Sequence, residues 1–272
     1  EYPVNKDDFS IPLQGDIIRF ACVFNAIHGS PGEDGLMQSY FELLRIPQTS
    51  CDYYQAALTF NKRDLLSVLK PYGIKCAASY YLNLGDAIDE EAIIEKVWLP
   101  CFVKANKAGS SFGISKVYKK EALKDAIANA YKEDDEIIIE AFLDGTEVSV
   151  GVIKYGGKTK VLPITEIVSE NDFFDYEAKY EGKSQEICPA RIEDELRDKV
   201  QEITKKIYAL LGLKGIIRVD FMLVKNEPYV IEVNTAPGMS GASLVPQMVE
   251  KYEKASLAEV LRTVVQESMK PE

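Results

Sequence analysis

The stretch RVDFMLVKNEPYVIEVNTAPGMS, residues 218–240, carries the strongest indication of architecture in this chain. It reads as two strands joined by a tight turn at KNEP. Glu232 and Asn234 lie two apart on the second strand and so share a face, and a hairpin can bring Asp220 opposite them. Two carboxylates and an amide oxygen in an apolar ribbon suit Mg²⁺ held together with phosphates. The alternative is a structural network of ion pairs with Arg218.

Length and composition are typical of a globular protein. The chain has 272 residues, of which 46% are hydrophobic and 28% charged, so it can hold two domains with their own cores. Its net charge of -11 argues against nucleic acid as a partner, and no apolar run is long enough for a membrane span. Its five scattered cysteines form no CxxC pair, which argues against zinc or a disulfide framework and indicates a reducing, cytoplasmic location.

The patterns on either side of the ribbon alternate between helices and strands, which predicts an α/β (α+β) fold. Strands are predicted at residues 17–27, 99–106, 136–140, 147–153 and 158–163. Helices are predicted at residues 36–44, 121–131, 194–211 and 254–268. We also expect Asn61, with Asp64 three residues later, to cap a further helix.

A lysine and a small-residue loop form a candidate phosphate site. Lys104 lies in the apolar strand CFVKA, and the loop GSSFG, residues 109–113, follows it. Glycines let backbone N–H groups approach an anion, serine hydroxyls add donors, and a nearby cation completes a phosphate cradle. The spacing is not that of a P-loop, so a simple turn with a solvated lysine stays open.

Two further segments are candidates for nucleotide contacts. In EAFLDGTE, residues 140–147, main-chain groups can read an adenine edge and Glu147 can accept from ribose hydroxyls. The alternative for Glu147 is a solvated charge at a strand edge. The loop at residues 169–185 is rich in aromatic side chains and carries Lys179, which is typical of a lid over a charged ligand. An Ω-loop packed on its own aromatics is the alternative.

Three shorter segments offer groups that bind anions. HGSPGEDG, residues 28–35, precedes a predicted helix whose N-terminus favours an anion, although its acidic residues could simply cap that helix. Arg218 and a backbone N–H at Gly238 would make an oxyanion clamp. Ser243 and Leu244 open the next segment, where a hydroxyl and N–H groups could hold a carboxylate.

In this order the motifs resemble those of the ATP-grasp ligases and, within them, the D-alanine:D-alanine ligases. The matching stretches are HGSPGEDG, VKANKAGSSFG, EAFLDGTEV, FFDYEAKY, RVDFM and EVNTAPGMSGASLVP. The resemblance implies an ATP-grasp fold, in which two α+β lobes sandwich ATP after an incomplete Rossmann-like, pre-ATP-grasp domain. The implied domains are residues 1–51 for that remnant, 52–140 for the central lobe and 141–272 for the C-terminal lobe.

The resemblance also implies roles for individual residues. ATP contacts would come from Lys62, Lys104, Glu140, Phe142, Leu143, Glu147, Lys179, Met222 and Ile231. Two Mg²⁺ ions, or Mn²⁺, would be held by Asp220, Glu232 and Asn234. The catalytic group would comprise Arg218 and the Gly238 N–H at the oxyanion, Ser110 and Tyr180 in a link that closes the lid, and His28. The substrate contacts would be Ser243 and Leu244 at the second D-alanine carboxylate and His28 near the first D-alanine.

Three departures from the family pattern stand out. The family begins with a Gly-rich segment whose glutamate binds the first D-alanine ammonium; it would precede Glu1, so we expect this chain to start part-way into a longer protein. Ala105 stands where proline is usual, and Phe174 replaces a usual tyrosine. The lid sequence DYEAKY favours the dipeptide-forming class over variants that make D-alanyl-D-lactate.

The function implied by the resemblance is the Mg²⁺- and ATP-dependent joining of two D-alanines through an acyl phosphate, for peptidoglycan precursor synthesis. The expected partners are small molecules, with no nucleic acid and no membrane, and the expected assembly is a homodimer. Another ATP-grasp carboxylate-amine ligase, including one that makes D-alanyl-D-lactate, is an alternative. A nucleotide-binding module without catalysis is an alternative from a different class.

Overall fold

Two antiparallel sheets dominate the computed structural model, which describes residues 2–108, 113–169, 184–252 and 255–270. The strands are β1 (Ile11–Leu13), β2 (Asp16–Ile18), β3 (Ser79–Asn83), β4 (Cys101–Ala105), β5 (Ser115–Val117), β6 (Glu136–Ala141), β7 (Thr146–Tyr155), β8 (Lys158–Ser169), β9 (Ser184–Ile187), β10 (Ile216–Val224) and β11 (Glu227–Asn234). The large sheet has the order β11-β10-β7-β8-β9, and the small sheet has the order β3-β6-β4-β5. A separate hairpin pairs β1 with β2.

Helices pack on both sheets within the described residues. They are α1 (Leu36–Leu43), α2 (Tyr53–Phe60), α3 (Lys62–Leu69), α4 (Glu90–Val97), α5 (Leu123–Ala130), α6 (Asp194–Leu210), α7 (Leu244–Glu250) and α8 (Leu257–Ser268), with 3₁₀ turns at Lys70–Tyr72 and Lys120–Ala122. The predicted cap is confirmed, because the Asn61 side chain accepts from the Asp64 N–H at 3.0 Å. Within the described ranges no helix is both long and apolar enough to cross a membrane.

The predicted ribbon is the β10–β11 hairpin. Lys225 and Asn226 link the strands with φ of 50° and 62°, the left-handed conformation that two-residue hairpin turns require. Asp220 pairs with Glu232, but the next pair is Phe221 with Val230, so Ile231 is the extra residue of a β-bulge. The bulge shifts the alternation by one residue, which keeps Ile231 on the same side of the sheet as Glu232.

One face of the large sheet forms the main core. Alternating residues of β7 and β10, such as Val150 and Val219, are fully buried against α6. Leu65 and Leu69 of α3 belong to the same core, so α3 packs beneath the large sheet. The domain bounds at residues 52–140 and 141–272 remain a prediction.

The opposite face of the large sheet is divided into two halves. Helices α7 and α8 cover the half around Ile153 and Ile216. Gly151 permits this contact, because a Cβ there would lie 2.7 Å from Leu162 and 3.2 Å from the sulfur of Met248. The other half carries polar side chains and is turned toward the small sheet.

The small sheet repeats this division. Val103 of β4 and Ile139 of β6 are fully buried with α4 and α5 in a second core. Phe102 and Glu140 pair across the opposite face, with Lys104 two residues further along β4. This face lies opposite the polar half of the large sheet.

Two expectations about strands are corrected. The predicted strand at residues 17–27 is wrong, because the described chain has only β2 and a single bridge between Val23 and Gln48 there. Its backbone finds no full partner strand, and Ile17 stays 67% exposed. Strand β8 is longer than predicted and runs through Pro163, since the register shift between β7 and β8 places a bulge at that proline.

Candidate active site

The polar half of the large sheet centres on a buried ion pair. Arg218 Nη2 donates to Asp220 Oδ2 at 2.8 Å, and Arg218 Nε donates to both carboxylate oxygens at 3.0 and 3.2 Å. The Ser149 hydroxyl also donates to Asp220. Glu232 lies opposite Asp220 in register and 3.4 Å from Arg218 Nη2. The sequence prediction that Asp220 and Glu232 meet on one face is therefore confirmed.

Among the described residues, this cluster holds more negative than positive charge. Burial raises the pKa of Asp220, Arg218 opposes that rise, and Glu232 adds to it. Burial alone would lower the pKa of Arg218, but its neighbours Asp220, Glu232 and Glu33 raise it. Three carboxylates therefore surround one guanidinium. A partly buried site with excess negative charge favours a cation.

The donor set fits magnesium by its chemistry. Asp220, Glu232 and Asn234 supply two carboxylates and an amide, which are the hard oxygen ligands that Mg²⁺ takes together with phosphates. Among the described residues no group of three or more His, Cys, Asp or Glu side chains is placed to hold a metal ion. A site built on these residues therefore depends on the amide and on the ligand's own oxygens.

A second buried ion pair lies on the small sheet. Lys104 Nζ and Glu140 Oε2 are 2.9 Å apart, with 15% and 8% of the two side chains exposed. Burial alone would lower the pKa of Lys104, but Glu140 raises it, helped by Glu232 and Glu147 of the large sheet. Because Glu232 and Glu147 of the large sheet raise the pKa of Lys104, the polar faces of the two sheets lie opposite each other across a cleft.

Lys62 is held beside the small-residue loop by a buried asparagine. The ammonium of Lys62 donates to the Ala108 carbonyl at 2.7 Å. Asn106 is fully buried; its amide nitrogen donates to Asn61 Oδ1 at 2.9 Å and to Glu136 Oε2 at 2.8 Å. Its amide oxygen accepts from the backbone N–H of α3 at 2.8 Å, which ties the start of α3 to the end of β4.

The residues predicted to contact adenine and ribose lie together at one end of the cleft. Glu147 pairs with Met222 across β7 and β10, on the same face as Asp220. Phe142 and Leu143 follow β6 and are half-buried. The ammonium of Lys116 lies 4.0 Å above the Phe142 ring, which adds a cation–π contact that the sequence reading did not anticipate.

The other end of the cleft brings together the predicted substrate residues. A Cβ at Gly238 would lie 2.6 Å from the Ser243 hydroxyl and 3.8 Å from His28 Cε1, so the three residues are neighbours. The side chain of Leu244 is buried beneath α7, which leaves its backbone as the group available to a ligand. Ser240 also places its hydroxyl 2.9 Å from that of Ser243.

Some predicted residues lie outside the described part of the chain, and some relevant residues escaped prediction. The residues outside are Ser110, Lys179 and Tyr180. Glu33 and Ser149 contact the site. From the sequence, Glu33 reads only as part of an anion-binding loop or as a helix cap, and Ser149 has no assigned role. Ser149 could have been found from the pairing of β7 with β10. Glu33 could not, because its contact with β11 is long-range.

An acidic half-sheet facing a lysine-bearing sheet across a cleft is the arrangement of an ATP-grasp protein. A family model described as D-ala D-ala ligase C-terminus matches residues 68–265. A D-alanine--D-alanine ligase from Flavobacterium johnsoniae is 65% identical over 269 residues, covering 99% of this chain and 83% of the relative. The chain therefore belongs to the D-alanine–D-alanine ligase family.

Solved structures agree with this assignment. The VanG D-Ala:D-Ser ligase from Enterococcus faecalis superposes with a TM-score of 0.83 at 33% identity, covering 98% of this chain and 78% of that one. A D-alanine--D-alanine ligase from Bacillus anthracis, complexed with ATP, gives a TM-score of 0.79 at 29% identity, covering 92% of this chain and 79% of that one. The ATP-grasp prediction is confirmed; the preceding Rossmann-like domain remains a prediction.

Proposed function

We propose that this protein uses ATP and Mg²⁺ to join two D-alanine molecules into D-alanyl-D-alanine for peptidoglycan precursor synthesis. The observation that carries the proposal is the pairing of opposite charges across the cleft. Lys104 lies on one side, and the cluster of Asp220 and Glu232 lies on the other. A nucleotide triphosphate with its metal fits between them, because phosphate needs the lysine and the metal needs the carboxylates.

Residues on both sides of the cleft would hold ATP in the first step. Lys62 and Lys104 neutralise phosphate charge, while Glu147, Phe142, Leu143, Met222 and Ile231 enclose the base and ribose. The D-alanine carboxylate then attacks the γ-phosphorus, the bond to ADP breaks, and an acyl phosphate forms. Bound Mg²⁺ would supply further neutralisation of the transferring phosphoryl group, held by Asp220, Glu232 and Asn234.

The residues at the other end of the cleft would serve the second step. The neutral amine of a second D-alanine attacks the acyl carbon, the amine loses a proton, and phosphate leaves. Arg218 and the Gly238 N–H stabilise the oxyanion, while Ser243 and the Leu244 backbone hold the incoming carboxylate. His28 lies beside Gly238 and faces the same space. The lid residues Ser110, Lys179 and Tyr180 would keep water from the acyl phosphate.

A product assay tests the proposal. The purified protein with Mg·ATP and D-alanine should release phosphate and D-alanyl-D-alanine in equal amounts, measured by phosphate detection and mass spectrometry. Absence of the dipeptide under conditions where ATP still binds would contradict the proposed activity. It would favour the alternative of a nucleotide-binding module without catalysis.

A second candidate acceptor comes from the structural relatives. The VanG protein from Enterococcus faecalis is a D-Ala:D-Ser ligase, so the same fold serves a different second substrate there. Offering D-serine and D-lactate beside D-alanine in the same assay separates the acceptors. We expect D-alanyl-D-alanine to be the main product.

We further propose a cytoplasmic homodimer that binds neither nucleic acid nor membrane. The net charge of -11 supports the absence of nucleic-acid binding. Light scattering on the eluting protein should give twice the mass of one chain. A monomer at micromolar concentration would contradict the dimer without affecting the proposed chemistry.

A further inference from the structure

Glu33 is a buried carboxylate that joins two distant parts of the chain. It lies in the loop before α1 and is 9% exposed. One oxygen accepts from the Gly29 N–H at 2.7 Å. The other accepts from the side-chain nitrogen of Asn234 at 2.9 Å, in the amide orientation that satisfies both ends of Asn234. Glu33 thus links the His28 loop to the end of β11.

Glu33 and Arg218 together determine which way the amide of Asn234 points. An ionised carboxylate only accepts hydrogen bonds, so it can face only the NH₂ end of an amide. With its nitrogen bound to Glu33, Asn234 turns its oxygen to the opposite side. That oxygen accepts from Arg218 Nη2 at 2.8 Å and lies on the face shared with Glu232.

We propose that Glu33 is a positioning residue that presents the oxygen of Asn234 to the metal site. This inference rests on the proposed metal binding by Asp220, Glu232 and Asn234. Without Glu33 the amide would be held at its oxygen end alone and could turn its nitrogen toward the metal, and an NH₂ group is no ligand for Mg²⁺. Groups that orient metal ligands in this way typically contribute about 10- to 100-fold to metal affinity.

A reciprocal exchange of side chains tests the inference. In Glu33→Gln the new side chain has one oxygen for two donors, Gly29 and Asn234, so the nitrogen of Asn234 loses its acceptor and only Arg218 still orients the amide. In the double variant E33Q/N234D, the glutamine oxygen accepts from Gly29 and its nitrogen donates to the new aspartate. The aspartate then turns its other oxygen to the metal, and the total charge of the pair is unchanged.

The measurement is the affinity for Mn²⁺ in the presence of a non-hydrolysable ATP analogue, read from the electron paramagnetic resonance of free Mn²⁺. We expect E33Q to bind Mn²⁺ about 10- to 100-fold more weakly and the double variant to return close to the wild type. N234D alone places the new aspartate against the carboxylate of Glu33. This repulsion should make the variant bind Mn²⁺ less well than the double variant does. Glu42→Gln, on the exposed side of α1, is the matched control.

The possible outcomes separate the proposed role of Glu33 from the proposed metal site. Wild-type Mn²⁺ affinity in E33Q, with unchanged thermal unfolding, would overturn the role of Glu33. A double variant no better than E33Q would also overturn it, because charge or packing would then explain the loss. If the wild type itself binds no Mn²⁺ with the analogue, the proposed metal site fails, and the role of Glu33 fails with it.

Discussion

The two sheets that face the cleft each bury one ion pair, but the pairs differ in what surrounds them. On the small sheet, Lys104 and Glu140 balance each other at 2.9 Å. On the large sheet, Arg218 forms an ion pair with Asp220 and also interacts with Glu232 and Glu33. A balanced pair can persist without a ligand. An acidic excess in a partly buried place is costly unless a cation compensates it.

The difference assigns separate duties to the two sheets. In the proposed function the small sheet offers Lys104 for phosphate at little electrostatic cost, because Glu140 compensates its charge in the free protein. Among the described residues, the large sheet holds more carboxylates than cations around Arg218, and in the proposed function Mg²⁺ arriving with the nucleotide would balance them. The predictions below alter one sheet at a time, in order of decreasing effect.

The largest effect should come from the acidic cluster. Asp220→Asn keeps the shape of the side chain but removes one ligand charge. We expect turnover to fall by about 10³-fold, the consequence of losing several kcal/mol of charge stabilisation in the transition state. Steady-state phosphate release measures the change. Asp198→Asn on the exposed surface of α6 should leave turnover unchanged, and an active D220N would remove Asp220 from the metal site.

The next effect should come from the balanced pair. Lys104→Met removes a phosphate contact and should weaken nucleotide binding about 100-fold, measured by calorimetry. It also leaves Glu140 buried without its partner, which should cost about 3–5 kcal/mol in the free energy of unfolding. Adding Glu140→Gln should recover stability but not nucleotide affinity. Recovery of both would mean that Lys104 acts only through Glu140.

A smaller effect should follow from loss of the Asn106 side chain, which ties the start of α3, where Lys62 lies, to the end of β4. Asn106→Leu removes three side-chain hydrogen bonds, two to the start of α3 and one to Glu136 of β6. The ammonium of Lys62 should then lose its position, and the KM for ATP should rise about tenfold with a smaller change in kcat. Asn5→Leu, on the exposed N-terminal segment, is the control. Equal changes in kcat and KM, or a loss of stability alone, would contradict a positioning role.

The smallest effect concerns stability at acid pH. The bidentate contact from Arg191 to Glu166 lowers the pKa of Glu166 below 4.5. Because the folded pKa is depressed, this contact stabilises the protein above pH 4.5 and is lost as pH falls through the folded pKa. Urea midpoints between neutral pH and about pH 3.5 should therefore decline less for Glu166→Gln than for the wild type. Parallel declines would contradict this, and Glu193→Gln is the exposed control.

Sequence patterns predicted the parts of the site that depend on local periodicity. The alternation of β11 and the turn at Lys225 and Asn226 placed Glu232 and Asn234 on one face, opposite Asp220. The bulge at Ile231 is not visible in the pattern, because an apolar residue suits either side of a strand. The resemblance to a family supplied the roles that no local pattern could indicate.

The long-range contacts could not be read from the sequence. The segment at residues 17–27 has the apolar pattern of a strand, but a strand also needs a partner, which local sequence does not specify. Glu33 reads equally well as a helix cap, and only the fold brings it to Asn234. From the sequence Asn106 is only the last residue of a predicted strand, and its contacts with α3 and β6 depend on the fold.

The effect of Mg²⁺ on nucleotide affinity tests the division of duties between the sheets most directly. Calorimetry with a non-hydrolysable ATP analogue should show tighter binding with Mg²⁺ than without it in the wild type. D220N should keep the Mg²⁺-independent binding and lose the increment, whereas K104M should weaken binding under both conditions. Equal wild-type affinity with and without Mg²⁺, or a full increment in D220N, would contradict the account.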